Sequence, residues 1–292
     1  MKDGTCRDIV NENAQGGLLS IEELLIIGRT AIDCGINKIR LTGGEPLIRS
    51  DVLKLCEGLK SINGLDELDI TTNGARLYEM AADLKDVGVD RLNISLDTLN
   101  EEKYRKITRI GSIDKVFNGL EEAQRVGFKN TKINVVLMAG VNDDEIKDFA
   151  NITKKYPVGV RFIELMPIGA SKEWYDERYI STNTVLERVP ELSKIGKSGV
   201  SRVYKLEGAP GTVGLISPIS QCFCNECNRL RITSDGRLLP CLHSGLQYNI
   251  RGLSANELID VFNLAIKNKP EGHHIAKNHE SDNKDYMNII GG

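Results

Sequence analysis

The residues best suited to chemistry are three cysteines near the carboxyl end. Cys224-x2-Cys227 is followed, after thirteen residues, by Cys241. The runs RLRI and RLLPCL alternate in polarity and are split by Ser234-Asp235-Gly236, so the segment predicts a β-hairpin with a D-G turn. Folding it back sets Cys241 beside the Cys224–Cys227 knuckle and brings three thiolates to one point. Three thiolates with no equally plain fourth ligand describe a metal centre that keeps an open position. Cys-x-x-Cys pairs most often bind structural zinc, and His243 or Cys222 could complete such a site. A redox dithiol is the weaker reading, because no thioredoxin-like strand precedes the pair. An iron–sulfur cluster also takes cysteine thiolates, and its vacant iron would be free for a substrate atom. On spacing alone zinc ranks first and the cluster second.

A second set of residues is cationic. Lys38 and Arg40 share one face of a strand, with Ile39 on the other, and Lys132 and Arg161 lie in later strands. Charges inside a parallel sheet are unfavourable unless paired, so their convergence on an inner face points to an anionic ligand, and Arg suits phosphate. The competing reading is structural ion pairing with Glu45, Asp69 or Glu164. Arg229 and Arg231 alternate on one face of the cysteine hairpin, where a solvated face is the alternative. Gly43-Gly44-Glu45-Pro46 ends a strand and permits close approach of a ligand, or else makes a tight turn. Ser95 and Asp97 could hold a ribose or an amino-acid group, or cap the next helix. His273, His274 and His279 read as solvated tail residues, Cys34 and Cys56 as small apolar groups in helices, and Cys6 stands alone.

Strand–helix units must position these residues. A helix opens at Leu18-Leu19-Ser20 with Ser20 and Glu23 as a capping box. Strands are expected at Lys38–Leu41, Glu67–Ile70, Arg91–Leu96, Lys132–Met138 and Val160–Leu165. Helices are expected near 51–61, 77–87, 101–106, 112–126 and 145–156. Such alternation implies a parallel sheet covered by helices, with ligands at the carboxyl ends of its strands. GGEP, TTNG, SLDT and ELMP all fall there. After Pro167 the pattern changes to a helix near 183–188 and a small β-rich segment holding Arg202–Leu206, Thr212–Ile216 and the cysteine hairpin. An amphipathic helix, 254–267, follows.

The 292 residues suffice for one large core or a barrel with an appendage. A net charge of −3 gives no bulk reason to expect nucleic acid. No apolar run is long enough for a bilayer and no signal peptide opens the chain, so no membrane partner is expected. Cysteines scattered singly before position 222 do not form a disulfide framework, which suits a reducing cytoplasm.

Taken together, KIRLTGGEPLIR, DITTNG, NISLDTL, KINVV, VRFIELMP, FCNECNRLRITSDGRLLPCL and the terminal Gly-Gly resemble the GTP 3′,8-cyclase family of molybdenum-cofactor biosynthesis, within the radical S-adenosylmethionine superfamily. The resemblance runs from about residue 18 to the end. It implies an α/β fold, a partial (β/α)6 barrel lacking its first strand (residues 1–167), closed by a C-terminal β-rich iron–sulfur domain (168–292). It implies that Cys224, Cys227 and Cys241 bind three irons of a [4Fe–4S] cluster whose fourth iron meets the guanine of GTP. Gly43, Gly44, Glu45, Thr71, Asn73, Ser95 and Met166 would lie around S-adenosylmethionine. Lys38, Arg40, Thr71, Lys132, Arg161, Arg229 and Arg231 would hold the substrate, and Arg229, Arg231, Gly291 and Gly292 would serve catalysis. The implied activity is that of a lyase. An electron from an N-terminal cluster would cleave S-adenosylmethionine, and the resulting radical would start ring closure to 3′,8-cyclo-7,8-dihydro-GTP. Implied partners are GTP, the cyclic pyranopterin monophosphate synthase that follows, an electron-donor protein and a second copy in a homodimer.

Two departures accompany the resemblance. The family's Cys-x3-Cys-x2-Cys motif and first strand do not occur here, so the chain as given is expected to be clipped at its start and not to begin the reaction. Cys222 stands where the family usually has proline. Readings that compete with a cyclase are a non-catalytic GTP-binding remnant and a peptide-modifying relative built on the same barrel.

Overall fold

The computed structural model describes residues 17–273, 275 and 280–290. Helix α1 (Ile21–Asp33) begins where Ser20 Oγ accepts from Glu23 N and Glu23 Oε2 accepts from Ser20 N, the expected reciprocal cap. Strands β1 (Lys38–Leu41), β2 (Glu67–Thr72), β3 (Arg91–Ser95), β4 (Lys132–Leu137) and β5 (Gly159–Glu164) follow, each next neighbour pairing in parallel. The connecting helices are α2 (Val52–Lys60), α3 (Leu77–Asp86), α4 (Glu101–Thr108), α5 (Ile113–Arg125) and α6 (Ile146–Lys155). Thr71 and Thr72, expected in a loop, extend β2. Their β-branched side chains suit the pleat, and parallel pairing with Asn93 and Ile94 holds them there.

After two short helices, α7 (Tyr175–Arg178) and α8 (Asn183–Arg188), come β6 (Ser193–Ser198), β7 (Ser201–Lys205) and β8 (Thr212–Ile216). Strand β8 pairs in parallel with β5, so the sheet runs β1-β2-β3-β4-β5-β8-β7-β6. This corrects the grouping of Arg202–Leu206 and Thr212–Ile216 with the cysteine hairpin. Those strands belong to the large sheet, and β8 is its sixth parallel strand. The polar strand β6, every residue of it exposed, gave no alternation to read.

One face of the parallel strands is apolar. Ile70, Leu92, Ile94, Ile133, Val135, Val160, Phe162, Val213 and Leu215 are all buried and pack beneath the helices. A smaller sheet, β11-β10-β9, holds β9 (Arg231–Ile232), β10 (Arg237–Leu239) and β11 (Tyr248–Asn249). Around it a second core forms from Leu19, Ile27 and Ala31 with Leu238, Ile250, Leu258 and Phe262, the last two from α9 (Ala255–Lys267). Leu19 N donates to Ser234 O (2.8 Å), and Arg251 donates to the carbonyls of Gly17 and Leu18. The start of α1 is thereby fastened to the cysteine hairpin.

Candidate active site

Register places polar side chains in rows across the other face of the sheet. One row is Arg40–Asp69–Arg91, the next Thr71–Asn93–Lys132, the next Ser95–Asn134–Arg161. Small residues continue the last two rows: Gly159 beside Lys132 and Gly214 beside Arg161. A Cβ on Gly214 would stand 3.1 Å from Arg161 Cγ, so glycine there leaves the long cation room to lie across the sheet. This face is the lumen of the partial barrel.

Its charge is unbalanced. Arg40 pairs with Asp69 at 2.7 Å and Arg91 with Glu67 at 2.7 Å. Among the described residues no carboxylate pairs with Lys132, Arg161 or Arg229. Lost hydration, then repulsion from Arg161 and Arg91, lowers the Lys132 ammonium to about 8. Burial and repulsion from Arg40 and Arg229 lower Arg161 to about 10. Burial and Arg229 bring Arg231 to about 10 as well. Arg229 is exposed to solvent, and lost hydration and repulsion from Arg40 lower its guanidinium. Arg231 Nη1 donates to Ile290 O at 3.3 Å. Lys38 stands apart: its side chain is 62% exposed at the sheet edge, 3.9 Å from Glu67.

The strand-end loops are braced by half-buried carboxylates. Glu45 accepts from Leu47 N, Thr72 Oγ1 and Asn73 N, so it pins GGEP against TTNG. Asn73 Oδ1 accepts from Ala75 N. Gly44 has φ +28°, and a Cβ there would meet nothing within 4 Å; conformation rather than packing calls for glycine, and open space lies beside it. Ser95 is exposed at the lumen mouth. Asp97 accepts from Val136 N (2.8 Å), and burial pushes its carboxyl up to about 6. Met166 packs with Ile168, Leu239 and Ile290, while its carbonyl accepts from Ser171 Oγ.

Glu164, fully buried at the end of β5, accepts from Ile219 N (2.9 Å), Ser220 N (2.9 Å) and Ser220 Oγ. It thus fixes the loop that leads into the cysteines. The hairpin closes as expected, with Ile232 opposite Leu238 and Gly236 at φ +91°. Lys269 Nζ donates to Arg229 O and Pro240 O and so ties its two arms together. All six described cysteines are free thiols. Cys227 and Cys241 both act electrostatically on Arg231, and Cys241 on Cys224, so the three thiols share one neighbourhood beside the arginines. Cys241 Sγ accepts from His243 N at 3.5 Å, a hydrogen bond of the kind that supports a cluster thiolate.

These donors fit an iron–sulfur cluster better than one ion. A tetrahedral zinc with bonds of about 2.3 Å needs its sulfurs about 3.8 Å apart. The Cys/His trio whose ligand atoms lie within 4.8 Å of one another is Cys222, Cys224 and His273; Cys224, Cys227 and Cys241 do not form such a group. A cluster takes each thiolate on a different iron and so spreads its ligands wider.

Comparisons with known proteins agree with this layout. Residues 7–152 match the Radical SAM superfamily, and residues 158–275 match Molybdenum Cofactor Synthesis C. A protein of Clostridium botulinum named GTP 3′,8-cyclase is 44% identical over 279 residues, covering 94% of this chain and 88% of that one. A namesake from Peptoclostridium acidaminophilum is 46% identical over 270 residues, covering 90% and 83%. The chain belongs to the GTP 3′,8-cyclase family. Its fold is the partial TIM-like barrel of radical S-adenosylmethionine enzymes. Streptococcus suis SuiB, solved with S-adenosylmethionine, aligns at a TM-score of 0.54 and 17% identity over 84% of this chain and 58% of that one, a likeness of fold alone.

For a GTP 3′,8-cyclase family member, the lumen gathers Arg40, Thr71, Lys132 and Arg161 from the strands and faces Arg229 and Arg231 from the hairpin. Gly291, Gly292, Cys6, His274 and His279 lie outside the described residues. His273 does not lie in a solvated tail. It is half-buried, its ring 4.8 Å from that of His243 in an edge-on contact. Cys34 is not inside a helix but caps α1. Sequence reasoning missed Asn93, 1% exposed, whose two amide atoms have no hydrogen-bond partner, and Asn134, whose Oδ1 has none. Both occupy lumen rows. The signal was there to find: Asn93 and Asn134 interrupt otherwise apolar strands at the same parity as Ser95 and Lys132.

Proposed function

We propose that this chain carries the substrate and C-terminal cluster sites for the conversion of GTP to 3′,8-cyclo-7,8-dihydro-GTP, the opening step of molybdenum-cofactor assembly; the Cys-x3-Cys-x2-Cys motif that would hold the initiating cluster does not occur in its sequence. The observation that carries the reading is the cationic excess of the lumen. Lys132 and Arg161 sit half-buried without carboxylate partners and repel one another, a costly arrangement that a polyanion relieves. Arg40, Lys132 and Arg161 would hold the triphosphate, with Thr71 beside them; Lys38, set apart at the sheet edge against Glu67, would at most attract the nucleotide from a distance. Arg229 and Arg231 project from the hairpin and would orient the nucleoside against the cluster, and by the resemblance Gly291 and Gly292 would serve the same chemistry.

Cys224, Cys227 and Cys241 would ligate a [4Fe–4S] cluster through three irons, leaving the fourth for the purine. The loops around Gly43, Gly44, Glu45, Asn73, Ser95 and Met166 would receive S-adenosylmethionine. That cofactor would supply the radical that starts the rearrangement, given an electron from a cluster whose Cys-x3-Cys-x2-Cys ligands are not in this sequence. The protein's share is to bind and orient the nucleotide and keep water from the reacting sugar. The electron donor, the cyclic pyranopterin monophosphate synthase that takes the product, a homodimer and a cytoplasmic setting belong to the same proposal. So does a functional division near residue 167.

Calorimetric titration of the cluster-reconstituted chain under anaerobic conditions tests the reading. GTP should bind at least about tenfold more tightly than guanosine, and Arg161→Ala should erase most of that advantage. Equal affinity for GTP and guanosine would overturn it and favour the peptide-modifying alternative.

A further inference from the structure

We propose that Cys222, Cys224 and His273 form a single-ion site for a divalent cation of the zinc class, with a donor set distinct from that of the cluster and with Cys224 common to both. Cys222 Sγ stands 3.2 Å from Cys224 Sγ and 4.0 Å from His273 Nε2. All three ligand atoms lie within 4.8 Å of one another. Bonds of about 2.3 Å to sulfur and about 2.0 Å to nitrogen at a tetrahedral ion require separations of about 3.8 Å and 3.5 Å. The two sulfur separations from Cys222 therefore depart by about 0.6 Å and about 0.5 Å from what one ion needs, and the third lies within the 4.8 Å bound.

The surroundings suit capture of an ion from solvent. Cys222 is exposed, while His273 is held half-buried by its contact with the His243 ring. His273 Nε2 lies 3.1 Å from Pro218 O, and coordination through that nitrogen exchanges a hydrogen bond for a metal bond. Two thiolates and one imidazole leave a fourth position to water, an open zinc-type geometry. Cys222 has no task in the cyclase reading, and His273 joins it from 51 residues away. Because Cys224 also serves the cluster, an inference that rests on the proposed function, the two metal loads exclude each other.

Cobalt(II) is the probe, since a tetrahedral thiolate site gives it an intense charge-transfer band. The full chain, cluster-free and kept reduced, should bind one Co2+ per chain. Cys222→Ser and His273→Ala should weaken binding by roughly a hundredfold or more, given that even outer-shell partners are worth about 10–100-fold. Cys227→Ser and Cys241→Ser should leave the band intact. Cys222 is exposed, so its replacement does not threaten the fold. Binding that survives Cys222→Ser, or that needs Cys227 or Cys241, overturns the proposal. Full-strength Co2+ binding to cluster-loaded protein overturns the sharing of Cys224. None of these measurements contains nucleotide, so their failure leaves the GTP titration standing as a separate test.

Discussion

Lys132 offers a way to read the lumen's charge directly. Its ammonium sits at about 8, against an ordinary lysine value of 10.5, because protein has displaced its water and Arg161 and Arg91 repel it. A bound triphosphate reverses that repulsion and returns the group toward its ordinary value. Binding therefore takes up protons, about half of one at pH 8 and nearly a whole one at pH 9. Affinity for GTP should fall about tenfold between pH 7 and pH 9, since at pH 9 about nine-tenths of free Lys132 is neutral. The sign for folding is opposite. The unfolded chain holds more protons than the ligand-free fold between about pH 8 and 10.5, so the empty protein gains stability across that window as pH rises. Titration calorimetry in two buffers of different ionisation enthalpy measures the uptake, and Lys132→Met should abolish both the uptake and the pH slope. Above pH 9 Arg161, at about 10, begins to contribute, which sets the upper end of the window. A wild-type affinity that is flat from pH 7 to 9, or a slope that survives in Lys132→Met, would refute the reasoning.

Three further outcomes are expected. Asn93→Leu removes a buried amide with no partner and should stabilise the free protein by roughly 1–3 kcal/mol, seen as a higher melting temperature, while weakening nucleotide or cofactor binding; a destabilised variant with normal binding would mean the amide serves the fold. Glu164→Gln keeps shape but weakens the acceptor for Ile219 N and Ser220 N, costing roughly 2–3 kcal/mol, and should reduce iron retained per chain after reconstitution. Thermal melts and iron analysis check the two effects together. Gly44→Ala meets no steric contact but pays about 1 kcal/mol for positive φ. Equilibrium dialysis should show S-adenosylmethionine binding lost beyond what that small strain explains; unaltered binding would remove Gly44 from the cofactor site.

The periodic parts of the fold were legible from sequence because their causes are local. Ser20 and Glu23 cap α1 through contacts three residues apart, and Asp235-Gly236 turns the hairpin by its own backbone preference. The cationic face was legible too, since a spacing of two puts Lys38 and Arg40 on one side of any strand. Whether they are buried was not, because that depends on which strand forms the sheet edge. Strand β8 joins β5 across some fifty intervening residues, and nothing near Thr212 announces a parallel partner. Glu164 and Lys269 act on segments distant in sequence, which is why the anchoring of the cysteine loop escaped prediction. For the same reason His273 read as a tail residue, although the fold carries it to Cys222.

The shared core between α1 and α9 bears on how the molecule comes apart. Leu19, Ile27 and Ala31 find their apolar neighbours in the final third of the chain rather than in the barrel alone. A calorimeter should accordingly register a single endotherm, and proteolytic nicking in the exposed β6 region should yield halves that stay associated until denaturant is added. Loading metal into the hairpin should then be felt as added thermal resistance at the opposite end of the polypeptide.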